Sequence, residues 1–175
     1  MLSRVLTAST LGIDAFQVEV EVDISRGLPS FSTVGLPDNA VKESKDRVRS
    51  AIKNSGYNLP AKKITVNLAP ADIKKEGTTF DLPVAVGILK AEGVVTAGNL
   101  EEYLILGELS LDGSIRPARG ALSVAVLARD TGKKLVLPVE NRGEAAIVDG
   151  VEVYGVASLS ELIEFLNGNA TVAPF

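Results

Sequence analysis

Residues 62–89, KKITVNLAPADIKKEGTTFDLPVAVGIL, constrain the fold more than any other stretch. Ile64, Val66 and Leu68 alternate with Thr65 and Asn67, the period-two pattern of a half-buried strand. Pro70 ends the run because it has no backbone N–H to give to a sheet. The loop at 71–79 carries Lys74, Lys75, Glu76 and Gly77, residues of turns and surfaces. Asp81 then stands at an N-cap position, with Pro83 in the first turn of a helix over 82–91. A strand that runs through a loop into a helix N-terminus can present a nucleophile or hold an anion.

Composition decides which chemistry such a loop can perform. The 175 residues include no Cys and no His, which excludes disulfides, thiolate metal sites and every His-based catalytic pair within this chain. Ser–Lys, Thr–Lys and carboxylate mechanisms remain open. Aromatics make up only 5% and Trp is absent, so the core must be built from Val, Leu, Ile and Ala. No stretch approaches membrane-spanning length, and the first residues lack a long apolar run, so the expectation is a cytoplasmic protein with no membrane partner. The net charge of −4 is uneven: residues 1–80 are slightly basic and residues 81–175 clearly acidic. An anionic partner would therefore meet the N-terminal half first.

Around the central stretch, residues 3–10 and 16–24 read as paired strands. Phe16, Val18, Val20 and Val22 alternate with Gln17, Glu19, Glu21 and Asp23, which predicts a sheet with one solvated side. A short strand follows at 30–34. Asp38 is placed to cap a helix over 39–54, which Gly56 terminates. At 100° per residue, Val41, Val48, Ala51 and Ile52 form one face, and Lys42, Lys45, Arg49 and Lys53 stack on an adjacent stripe. Taken alone, such a stripe is ordinarily a solvated face; the sharper reading is a phosphate-contacting surface. Further on, the pattern predicts a helical turn at 99–102, a strand at 103–111 with a hairpin return at 114–116, and a helix at 121–129. A strand at 135–137, a short helix at 140–147, a strand at 151–154 and a Ser158-capped helix at 159–166 complete it. Residues 1–167 form the expected domain, and 168–175 a tail or the start of a linker. The fold class is α+β, one domain with a mixed sheet and helices packed on it.

No Walker A or G-x-G-x-x-G motif occurs, so nucleotide hydrolysis by this chain is not expected. Three longer strings carry a resemblance: GLPDNAVKESKDRVRSAIKNSG at 35–56, ITVNLAPADIKKEGTTFDLPVAVGIL at 64–89 and LGELSLDGSIRPARG at 106–120. Together they resemble the YifB/ComM family, the magnesium-chelatase-like group of bacterial AAA+ proteins, from residue 3 to about 166. The resemblance implies an N-terminal domain with the fold of ribosomal protein S5 domain 2 and of the Lon proteolytic domain. It also implies a hexameric, DNA-acting ATPase motor beyond residue 175, promoting branch migration in ComM-like members. ATP and magnesium are expected only for that motor, with no cofactor or metal in this chain. The implied partners are other copies in a ring, the motor itself and DNA.

Lon-type peptidases place their nucleophile in a K-D-G-P-S-A-G segment and a base Lys beyond a G-E-x-x-x-x-G-x-x-x-P hairpin. Aligned on these, Thr79 takes the serine position and, counted without gaps, Leu122 the lysine position. A Thr hydroxyl needs a base and Leu cannot supply one, so the chain is expected not to be an enzyme. Lys74 and Lys75 are expected to be solvated and protonated in their loop, and Thr78 and Thr79 to use their hydroxyls on backbone groups. The nucleic-acid-binding candidates are Lys42, Lys45, Arg49, Lys53, Lys74, Lys75, Arg116 and Arg119, with Lys62 and Lys63 beside them. Phe31 and Phe80 are the aromatics expected near these regions, and the sequence pI of about 5.0 argues against strong autonomous DNA binding. The alternatives are a degenerate Lon-like peptidase using Thr79 and a pure oligomerisation scaffold.

Overall fold

The computed structural model describes residues 1–59 and 61–175. Its centre is a seven-stranded sheet built from β1 (Leu2–Leu11), β2 (Asp14–Ser25), β3 (Ser30–Val34), β4 (Lys63–Ala69), β5 (Tyr103–Ile105), β8 (Lys134–Pro138) and β9 (Val153–Val156). The spatial order is β3-β4-β2-β1-β5-β8-β9. Only β2 runs against the others, pairing antiparallel with β1 on one side and β4 on the other. A two-stranded ribbon of β6 (Glu108–Leu109) and β7 (Ile115–Arg116) stands apart. This is the mixed α+β architecture that the sequence predicts.

Helices α1 (Asn39–Asn54), α2 (Asp81–Ala91) and α5 (Leu159–Leu166) contribute to one apolar cluster with the strands. On the opposite face, α3 (Ala121–Thr131) and α4 (Arg142–Ala145) close a second cluster, against Ala8, Leu104, Leu106, Leu135, Leu137 and Val153. Glu19, Glu21 and Asp23 of β2 remain partly or fully exposed, which is the solvated sheet face expected from their alternation. Arg4 lies across it, 2.9 Å from Glu19.

The caps expected for α1 and α5 are present. Asp38 accepts from the Val41 N–H at 2.8 Å, and Ser158 accepts from the Glu161 N–H at 3.2 Å. The second oxygen of Asp38 also accepts from the Gly77 N–H at 3.2 Å, so this cap ties α1 to the loop before α2. Asp38→Ala is expected to cost about 1–2 kcal/mol in urea unfolding, the range of a lost side-chain cap. An unchanged midpoint would show that solvent replaces both bonds.

Two expectations are corrected. The predicted strand at 103–111 divides at Gly107 into β5 of the main sheet and β6 of the ribbon. Gly107 donates its N–H to the Thr79 carbonyl and accepts from the Leu82 N–H, both at 3.0 Å. Those bonds turn its backbone from the sheet toward α2, and a Cβ there would meet Ile115 at 2.9 Å. The last strand begins at Val153 rather than 151. The tail carries no regular structure, but the Phe175 N–H donates to the Val153 carbonyl at 2.8 Å, on the edge of the sheet.

Candidate functional site

The ends of β1 and β5, the 76–79 loop and the segment after β7 surround a cleft of about 280 Å³. Ser9, Thr10, Thr78 and Thr79 give it hydroxyls, Glu76 and Glu108 carboxylates, and Arg119 its one cation. Asn141 fixes the rim by accepting from the Ala118 N–H at 2.8 Å and donating to the Ala118 carbonyl at 2.9 Å. Thr79 is half-buried in this cleft. Its carbonyl bonds Gly107 and that of Thr78 accepts from the Asp81 N–H, whereas neither Thr hydroxyl is hydrogen-bonded among the described residues. The expectation that those hydroxyls satisfy backbone groups is therefore corrected: carbonyls do that work.

Leu122 does not face Thr79. It is 43% exposed and lines a different hollow, with Gly12, Ile13 and Asp14 at the β1–β2 turn. The cleft holds no lysine, and neither glutamate is bonded to the Thr79 hydroxyl. A nucleophile without an aligned base is weak.

Lys75 overturns its expectation most clearly. It is completely buried, and its ammonium donates to the Gly35 carbonyl at 2.7 Å and to the Pro70 carbonyl. Burial pushes its pKa below the ordinary lysine range, with Asp72 pulling weakly the other way. The physical reason is that the loop folds back on α1: Lys75 N–H bonds the Leu36 carbonyl, and its own carbonyl accepts from the Asp38 N–H, both at 2.9 Å. A long stem with three donors reaches the part-buried Gly35 and Pro70 carbonyls on either side of the loop. Lys75 is therefore removed from the nucleic-acid candidates. Lys74 stays exposed, 3.8 Å from Glu76.

Asp81 is the second correction. It is the first residue of α2 rather than its N-cap, and it is fully buried. Arg47 of α1 grips it through Nε at 2.6 Å and Nη2 at 3.1 Å, and the Leu109 N–H donates to it at 3.1 Å. Burial raises the carboxyl's pKa, and the bonds from Arg47 and Leu109 oppose that shift. The pair joins α1, α2 and the ribbon beside the cleft. Sequence reasoning missed Arg47, although one signal was present: it is the one cation of α1 off the stripe, on the far flank of the apolar face.

The stripe itself is present. Lys42, Lys45, Arg49 and Lys53 are all exposed along α1. Lys42 and Lys45 line a hollow of about 210 Å³ with Phe31, Ser32 and Thr33. Arg49 and Lys53 line another of about 390 Å³ with Tyr57. Arg116 lies elsewhere, in a hollow with Arg47 and Glu108, and Arg119 belongs to the Thr79 cleft. The candidates thus fall into separate groups rather than one face. Phe80 is buried and drops out as a stacking residue. Among the described residues no group of three or more His, Cys, Asp or Glu side chains is arranged to hold a metal ion, and no helix is long and apolar enough to cross a membrane.

Comparison with known families fits this picture. The model for subunit ChlI of Mg-chelatase matches residues 20–141, most of the sheet together with α1, α2 and α3. The chain belongs to this magnesium-chelatase-like family. Among its relatives, the uncharacterized protein YifB of Escherichia coli (strain K12) is 47% identical over 167 residues, covering 95% of this chain and 33% of YifB. Competence protein ComM of Haemophilus influenzae is 41% identical over 167 residues, with the same coverage. Lon protease 2 of Bacillus subtilis is 26% identical over 164 residues, covering 85% of this chain and 29% of that protein. The chain thus spans about a third of the length of the YifB and ComM relatives. The resemblance to the magnesium-chelatase-like YifB/ComM group is thus confirmed, with a weaker likeness to Lon proteases.

Proposed function

We propose that this chain is the N-terminal accessory domain of a YifB/ComM-type AAA+ ATPase that acts on DNA. In this reading it performs no catalysis, contributes to ring assembly and touches DNA through α1. The observation that carries it is the stripe of four exposed cations at Lys42, Lys45, Arg49 and Lys53. Such a row neutralises phosphates along a strand, while the acidic remainder of the chain keeps affinity modest. The competence role belongs by name to the Haemophilus relative, and its identity to this chain supports carrying that role over. ATP and magnesium chemistry, in this account, resides in the two thirds of the longer relatives that this chain does not span.

The test is a titration of the chain with forked and single-stranded DNA, beside a variant with all four stripe cations replaced by Gln. Binding that is lost in the variant is expected. If the wild type fails to bind even at low salt, the stripe is a solvated face and DNA contact lies elsewhere.

A peptidase reading is favoured only by the Thr79 cleft and the Lon likeness. It requires covalent labelling of Thr79 by an electrophilic peptide analogue and loss of turnover in Thr79→Ala. The expected result is no labelling, because the cleft aligns no base on the hydroxyl.

A further inference from the structure

The two hollows along α1 repeat one chemistry. In the first, Lys42 and Lys45 stand beside the half-buried ring of Phe31, with the Ser32 and Thr33 segment of edge strand β3 below. In the second, Arg49 and Lys53 stand beside the half-buried ring of Tyr57. Arg49 joins them, since its guanidinium lies 5.6 Å from the Phe31 ring centroid while it also lines the second hollow. From the middle of the Lys42–Lys45 pair to the middle of the Arg49–Lys53 pair, the helix advances about 11 Å. Each hollow therefore offers two cations, a partly exposed aromatic side chain and a concave space, with the Arg49 guanidinium lying over the Phe31 ring in the first.

We propose that this face takes single-stranded rather than duplex nucleic acid, with bases resting on Phe31 and Tyr57 and the phosphates tracking the stripe. The proposal rests on the DNA-contact reading above and names the form of the ligand. A duplex keeps its bases stacked inside and shows a helix face only phosphates and groove edges; it has nothing to put into the hollows. An unpaired strand can turn its bases outward onto aromatic rings or guanidinium planes, and a cationic groove with aromatic platforms is how such strands are held. The β3 segment at Ser32 and Thr33 adds neutral polar groups beside the first pair of lysines. Asp46, exposed on the flank of the stripe one turn from Lys42, and Glu164, whose charge acts on Tyr57, are acidic groups that oppose phosphate binding here.

The experiment is fluorescence anisotropy with three ligands of matched length: oligo(dT), an abasic deoxyribose-phosphate strand, and a duplex. Phe31→Leu and Tyr57→Leu keep an apolar side chain against the core that both rings also touch, and remove the aromatic ring, together with the Arg49 contact at Phe31 and the hydroxyl at Tyr57. Oligo(dT) is expected to bind more tightly than either other ligand. Each Leu variant is expected to weaken oligo(dT) binding about tenfold, as for one lost base-stacking contact. Abasic binding, which needs only the stripe, is expected to be unchanged and reports that the variants remain folded. Equal binding of oligo(dT) and the abasic strand, or Leu variants that bind oligo(dT) as the wild type does, would overturn base stacking while leaving the stripe as a phosphate contact. Tighter binding of the duplex would overturn the single-strand preference in the same way. Failure of the wild type to bind any of the three would remove the DNA-contact reading itself.

Discussion

Arg47→Met is expected to lower the unfolding free energy by about 3–5 kcal/mol, the range for leaving one member of a buried ion pair alone. Asp81 has no exposed surface, and the Leu109 backbone N–H that also donates to it cannot neutralise a full charge. The loss should depend on pH in a defined direction. Burial already raises the Asp81 carboxyl, and removing the guanidinium raises it further. A carboxyl with a folded pKa above its unfolded one binds more protons in the folded state, so stability rises as pH falls between those two values. The variant is therefore expected to recover part of its deficit between neutral pH and the ordinary carboxylate range, in urea melts at several pH values. The double variant Arg47→Met/Asp81→Leu should be more stable than Arg47→Met alone, because it leaves no buried charge. A single variant within error of wild type would mean that water reaches Asp81 and that the pair does not hold α1 to α2.

Lys75→Ala is expected to cost about 2–5 kcal/mol, combining a cavity with the loss of two part-buried hydrogen bonds. Lys75→Met retains most of the stem and isolates the polar part of that loss. It leaves the Gly35 and Pro70 carbonyls without their donor, for which about 2–3 kcal/mol is expected. Gly35 has little freedom to adjust: its φ is +101°, and its backbone lies so close to β4 that a Cβ would meet the Leu68 carbonyl oxygen at 2.1 Å. The pH dependence has the opposite sign from that of Asp81. Burial lowers the Lys75 pKa, so the unfolded chain binds more protons between the folded value and the ordinary lysine value near 10.4. Stability contributed by Lys75 rises with pH through that window. The wild-type advantage over Lys75→Met should widen as pH is raised toward about 10, and a shrinking advantage would show that the ammonium is stabilised by its site.

These two residues also mark where the sequence stopped being legible. Strands β2 and β4 follow from alternation of apolar residues, and α1 and α5 from Asp38 and Ser158 at their caps. Such signals are local, and the local rule prevails where nothing distant competes. Lys75 sits in a run of polar residues that looks solvated, but its environment comes from residues 35–38, some forty positions earlier. Asp81 has the sequence context of a cap, yet the charge that claims it is on another helix. The split at Gly107 was unreadable for the same reason, since the bonds that turn it come from Thr79 and Leu82. In the candidate surface, the stripe was visible from helical spacing. Of the two aromatics expected near these regions, Phe31 lies beside the stripe and Phe80 is buried, while Tyr57 joins Arg49 and Lys53 only once the chain after α1 is in place.

The most direct test of the central claim is the salt dependence of oligo(dT) binding. If all four stripe cations contact phosphates, the logarithm of the association constant should fall against the logarithm of salt concentration with a slope of about −3. The slope should approach zero when Lys42, Lys45, Arg49 and Lys53 are replaced by Gln. A wild-type slope near zero, or a variant slope as steep as the wild type's, would contradict the account and place any DNA contact away from α1.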